Sequence, residues 1–231
     1  MNGWTRIQRP CLNETMRFLG HNTLMMKLAR WFEMAGIFLG VPLLLYGKFI
    51  PHYKSAALLA VCIVCLVLLL RDGSFDRNCF RLNGFCNWCM LTVRFAIIAS
   101  CLSLYTVLAE PENAFAILRH DYARWAIIMI AYPVLSVVPQ EIIYRVFFFH
   151  RYGSLFKGKR TGILANAVLF AFGHILFRNW IAVIGTFVAS LLWATTYLGS
   201  RSLPVVAIEH ALYGDLVFTL GIGHYFYSPD F

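Results

Sequence analysis

Acidic residues are scarce in this chain: 11 Asp and Glu among 231 residues, against 20 Lys and Arg. Charged residues of both signs make up 13% and hydrophobic ones 60%. That poverty of charge excludes an ordinary soluble domain, which cannot cover so much apolar surface. Internal repeats, low-complexity tracts and long linkers are also lacking, so one compact unit is expected. Met1 to Lys27 is polar and basic without an apolar core, so no secretory leader is expected there. Of the seven cysteines, Cys86-Asn87-Trp88-Cys89 forms a CxxC in a loop, which is weak support for a redox or zinc role. Cys62, Cys65 and Cys101 sit in apolar runs and read as small packing residues.

What the chain does have is apolar runs near membrane-spanning length, roughly 17–25 residues. They run from Trp31 to Tyr46, Ser55 to Leu70, Trp88 to Ala109, Trp125 to Phe149, Gly162 to Phe177, Trp180 to Leu198 and Leu203 to Gly223. A short surface helix is expected from Ala114 to Tyr122, after the Glu110-Pro111-Glu112 break. The expected fold class is all-α: a polytopic membrane helix bundle of about seven to eight helices. Residues 1–123 form an N-terminal membrane region of three spans plus a basic arm, and residues 124–231 form the core that carries the polar motifs. Gly185 and Ala189 make a small-xxx-small pattern that suits close packing inside such a bundle.

The excess of basic residues lies in loops between the runs, which is a topology signal, so nucleic acid is not an expected partner. With the amino terminus in the cytoplasm, the cytoplasmic side holds Arg71, Arg77, Arg81, Arg151, Lys157, Lys159, Arg160 and Arg201 besides the basic arm. The other side holds Lys48, Lys54, Arg119, Arg124 and Arg178. That bias favours a cytoplasmic amino terminus, where the sequon at Asn13 has no meaning. Arg94 is near enough to the start of its run to reach the interface.

Three polar patches interrupt the later runs. Pro139-Gln140-Glu141 comes first, with Arg145 four residues after Glu141 and therefore on the same helical face. Pro139 suits the first turn of a helix and predicts a break beside Gln140 and Glu141. Successive helical residues diverge by about 100°, so Gln140 and Glu141 cannot face the same way. The second patch is Phe170 to His174, with Asn166, Phe170 and His174 along one face and Gly173 admitting a neighbouring backbone. The third is His210 with Asp215, rotated about 140° from each other on an ideal helix; Glu209 is placed near the interface. Ionisable groups avoid lipid, so all three patches are expected to meet in the bundle centre around water. A carboxylate, two imidazoles and nearby amides suit general-base activation of that water and stabilisation of an oxyanion. A purely structural Glu141–Arg145 pair is the plainer alternative, and a proton-coupled transporter is another, though no repeat symmetry supports it.

In order and spacing these patches resemble the CPBP family, the CAAX-protease and bacteriocin-processing membrane proteins. Its marks are Glu-Glu-x-x-x-Arg, then Phe-x-x-x-His, then a His followed about four residues later by Asn or Asp. Here they read Gln140-Glu141-Ile142-Ile143-Tyr144-Arg145, then Phe170-Ala171-Phe172-Gly173-His174, then His210 with Asp215 five residues on. The resemblance implies a glutamate-type intramembrane endopeptidase in a bacterial cytoplasmic membrane. Its substrate would be a membrane-associated or lipidated peptide or protein, and its site residues Glu141, His174, His210, Gln140, Arg145 and Asp215. The family's first Glu is Gln140 here. That leaves three readings: Glu141 works with His174, His174 is the base while Gln140 positions water, or the chain is an inactive scaffold or immunity protein. No cofactor is expected; zinc on Glu141, His174 and His210 is the alternative, although no HExxH helix is present to fix two ligands.

Overall fold

A computed structural model describes residues 24–49, 54–82 and 88–226. The basic arm before Leu24, Cys11, the Asn13 sequon, the Pro51–His52 turn and Cys86 of the CxxC lie outside the described residues. Seven helices are long and apolar enough to cross a membrane, as a multi-pass integral membrane protein requires. In chain order, with one short helix between the third and fourth of these, they are α1 Leu24–Tyr46, α2 Lys54–Arg71, α3 Trp88–Ala109, α4 Ala116–His120, α5 Tyr122–Leu155, α6 Lys159–Phe177, α7 Trp180–Ser200 and α8 Leu203–Leu220. Among the described residues there is no strand. Helical winding pairs the backbone polar groups of these spans within their own segments, which hydrocarbon demands.

The long helices alternate in direction, which gives the bundle two ends. One end carries the loops after α2, α5 and α7, where the basic residues gather. There Arg151 forks onto Glu33 with contacts of 2.6 and 2.7 Å, and Ser202 donates to Arg81 O at 2.8 Å. At the opposite end Arg178 donates to Tyr46 O at 3.1 Å and Asn179 to Tyr225 O at 2.7 Å. Helix starts at both ends are capped by side-chain oxygens: Ser202 accepts from Val205 N at the basic end, and Asp121 from Arg124 N and Asn179 from Ala182 N at the other. Large apolar side chains such as Phe32, Ile63, Leu108, Ile130 and Trp180 point outward. The interior is filled instead by aromatic residues, with Phe38 edge-on to Tyr144, Phe148 and Tyr152.

Several expectations are corrected. The first helix already includes Leu24 to Arg30, ahead of Trp31, because Leu24 to Leu28 supply apolar residues and the stems of Lys27 and Arg30 tolerate the interface. Neither Pro133 nor Pro139 breaks α5. The helix absorbs both prolines by winding more widely, as π-helix over Pro133–Val137 and Ile142–Phe147, with Val138–Glu141 as the α-helical turn between them. Gly173 admits a hydroxyl rather than a backbone, since a Cβ there would lie 2.6 Å from Tyr144 Oη. Arg94 turns inward to Thr196 Oγ1 at 3.2 Å and lies 3.8 Å from Glu209, which is buried instead of interfacial. Cys101 faces outward, unlike Cys62 and Cys65. Ala189 packs on the core and Gly185 faces Phe226, so their pattern serves packing within the bundle.

Candidate active site

Helix α5 delivers two neighbouring side chains to two different environments. Glu141 is fully buried. Its Oε1 accepts from His210 Nδ1 at 2.8 Å, and its Oε2 lies 3.3 Å from Arg145 Nε. The latter contact is an ion pair without hydrogen-bond alignment, so both of those atoms lack a hydrogen-bond partner among the described residues. The Arg145 guanidinium is held from its other side: Nη1 donates to Asn166 Oδ1 at 2.6 Å and Nη2 to Ser190 Oγ at 3.1 Å. Asn166 in turn donates to Tyr144 O at 2.5 Å. The guanidinium carbon sits 5.0 Å from the Phe170 ring centroid. A buried charge pair is tolerated only when its remaining donors are met in this way.

His210 completes this dry cluster. With Nδ1–H committed to Glu141, Nε2 is the acceptor, and Tyr132 Oη donates to it at 3.2 Å. Trp193 stacks on the imidazole with centroids 3.7 Å apart. Asp215 does not join His210. Its carboxylate Oδ1 is buried without a hydrogen-bond partner among the described residues, and Thr219 Oγ1 donates to its backbone oxygen at 2.7 Å. The position four residues after His210 is Gly214, and the Tyr132 ring occupies the space that a Cβ there would need.

Gln140 and His174 lie elsewhere, in the wall of a cavity of about 510 Å³. Its walls are otherwise mostly apolar, from α1, α2, α5 and the end of α6, with Ser136 and Tyr144 as further polar members. Gln140 Nε2 donates to Ser136 Oγ at 2.7 Å, while its Oε1 is buried without a partner among the described residues. His174 begins a tight turn, His174–Phe177, that ends α6. Its Nδ1 donates to Phe170 O at 2.8 Å, which fixes the tautomer and leaves Nε2 as a lone-pair acceptor.

Phe170 lies against both imidazoles, with centroids 4.6 Å from His174 and 6.0 Å from His210. The polar patches thus meet in the bundle centre, but as two sites rather than one pool. The pairing of Glu141 with His174 as a base is not formed, because the π-wound helix aims Glu141 at His210. Among the described residues no three His, Cys, Asp or Glu side chains are grouped as a metal ion needs, so the zinc set Glu141, His174 and His210 is not assembled.

Residues 122–214 match the family model of the type II CAAX prenyl endopeptidases, Rce1-like. Over that segment the chain is similar to this family. No curated protein and no solved structure gives a significant match. The Rce1-like segment runs from the start of α5 through most of α8 and covers less than half of the chain. It contains Gln140, Glu141, Arg145, His174 and His210 and ends at Gly214, one residue before Asp215. This agrees with the CPBP resemblance of the motifs.

Tyr132, Ser136, Ser190 and Trp193 were not singled out from the sequence. Ser136 lies four residues before Gln140, so helical spacing alone could have found it. Tyr132 meets His210 across 78 residues, and no local pattern marks it.

Proposed function

We propose that the chain is an intramembrane endopeptidase that cleaves a membrane-associated or lipidated peptide, with His174 as general base. The observation that carries this reading is the shared cavity wall of Gln140 and His174, which offers the His174 Nε2 acceptor and no competing carboxylate. A water held at that wall donates one hydrogen to His174 Nε2 and, once the Gln140 amide rotates its oxygen toward the cavity, the other to Gln140 Oε1. Its lone pair is then aimed into the cavity. Glutamine cannot take the proton, but it can orient the water, and the imidazole takes the proton as the oxygen adds to the peptide carbonyl carbon. The Tyr144 hydroxyl, in the same wall, is the donor nearest in kind to an oxyanion partner. His174 returns the proton to the leaving amine as the C–N bond breaks, giving a carboxylic acid and a free amine.

The dry cluster has a different part. Glu141, Arg145, Asn166, Ser190 and His210 tie α5, α6, α7 and α8 together and hold Phe170, whose carbonyl fixes His174. Glu141, Arg145 and His210 are therefore positioning residues in this scheme, and Asp215 has no assigned role. The apolar walls suit a substrate that brings its own lipid or apolar side chains.

The test is hydrolysis by purified protein in lipid nanodiscs, using membrane-anchored peptides with and without an isoprenoid, followed by mass spectrometry. Cleavage by the parent and its loss in His174→Ala is the expected result. Equal cleavage by both removes His174 from the site. A silent parent with an active Gln140→Glu variant identifies an inactive relative.

A further inference from the structure

The cavity is not central along the bundle axis. Ile37, Phe38, Val61, Gln140, Ile143 and Tyr144 line its inner part, away from the helix ends. Its rim residues lie at helix ends: Leu45 at the end of α1, Lys54 and Ser55 at the start of α2, Leu176 and Phe177 at the end of α6, and Phe226 after α8. All of these belong to the same end of the bundle. It is the end opposite to the basic loops that hold Arg71, Arg77, Arg81, Arg151, Lys157, Lys159, Arg160 and Arg201. The rim is held in place by Lys54 Nζ, which donates to Leu176 O at 3.3 Å and lies 5.2 Å from the Phe177 ring centroid.

Short loops rich in Lys and Arg stay on the cytoplasmic side of a membrane. Joining that rule to the position of the cavity, we infer that the cavity of Gln140 and His174 is entered from the extracytoplasmic face. The substrate class follows from that direction. It is a membrane-anchored peptide whose scissile bond reaches the bilayer from outside, rather than a lipidated tail presented by a cytoplasmic protein. This consequence for the substrate rests on the peptidase reading; the direction of access does not.

The two parts are tested separately. Ser55→Cys, on the cavity rim, and Lys157→Cys, in a basic loop, are introduced one at a time into a chain whose native cysteines are replaced. If that background does not fold, label added above the parent's own incorporation gives the same readout. Intact cells are treated with a membrane-impermeant maleimide, then permeabilised and treated again. Labelling of Ser55→Cys in intact cells, with Lys157→Cys labelled only after permeabilisation, is the expected result. The reverse pattern, or a Ser55→Cys thiol unreactive from both sides, overturns the inference without touching catalysis. In sealed vesicles sorted by orientation, a peptide supplied outside is cleaved when the rim faces outward. Cleavage confined to the opposite orientation overturns the substrate class, whereas no cleavage in either orientation alongside the expected labelling removes the peptidase reading and leaves the direction of access standing.

Discussion

His210 Nδ1 donates to Glu141 Oε1 at 2.8 Å, and this bond takes the acid of the polar motif out of the cavity. The sequence neighbour of Glu141 faces that cavity instead, and it is an amide. Catalysis in this arrangement falls on an imidazole held by a backbone carbonyl, with the carboxylate in a supporting position.

Removing the base separates the cavity from the cluster. His174→Ala is expected to lower kcat by about 10²–10⁴, the usual contribution of a general base, with little change in thermal stability. His210→Ala is expected to lower both, because it leaves Glu141 without its hydrogen bond. Parallel cleavage assays and melting curves check the contrast.

Gln140→Glu supplies a second proton acceptor in the cavity wall. A rise in kcat with KM nearly unchanged is expected, since the change acts on water rather than on substrate contacts. An unchanged kcat would mean that position 140 does not touch the water.

The buried pair is sensitive to removal of one partner. Glu141→Ala leaves the Arg145 charge uncompensated in a dry site and is expected to cost about 3–5 kcal/mol. Denaturation of the purified protein in mild detergent reads this. A loss below about 1 kcal/mol, the worth of an exposed pair, would mean that solvent reaches the cluster.

Tyr132 and Gly214 are expected to be energetically coupled. Gly214→Ala drives a methyl group into the Tyr132 ring and, as an overpacking change, should cost about 1–3 kcal/mol. Tyr132→Ala removes the obstacle, so the double variant should be more stable than the sum of the two single losses implies. A double-mutant cycle on melting temperature decides it.

Acid should loosen the rim of the cavity. Burial acts against the charge of Glu110, but hydrogen bonds from Tyr225, Asn113 and Tyr105 outweigh it and hold the carboxyl below its usual value. A depressed folded-state value contributes stability that is fully present above the usual carboxylate pKa of about 4.3 and is lost as pH falls through the folded value. Tyr225 precedes Phe226, a lining residue, so hydrogen exchange over residues 222–226 should accelerate below about pH 4. Glu110→Gln should flatten that dependence.

The apolar runs, the scarcity of charge and the basic loops specify the bundle and its spans, because hydrophobic length and loop charge act locally along the chain. The divergence of Gln140 from Glu141 and the pairing of Glu141 with Arg145 were legible for a similar reason: both follow from helical spacing over a few residues. The tertiary structure alone decided where each polar group went. The π windings that absorb Pro133 and Pro139 set the direction of Glu141, and Tyr132 reached His210 from another helix. Phe170 came to lie against both imidazoles. These outcomes depend on how separate helices rotate and pack against each other, and a linear sequence holds no period that encodes that rotation.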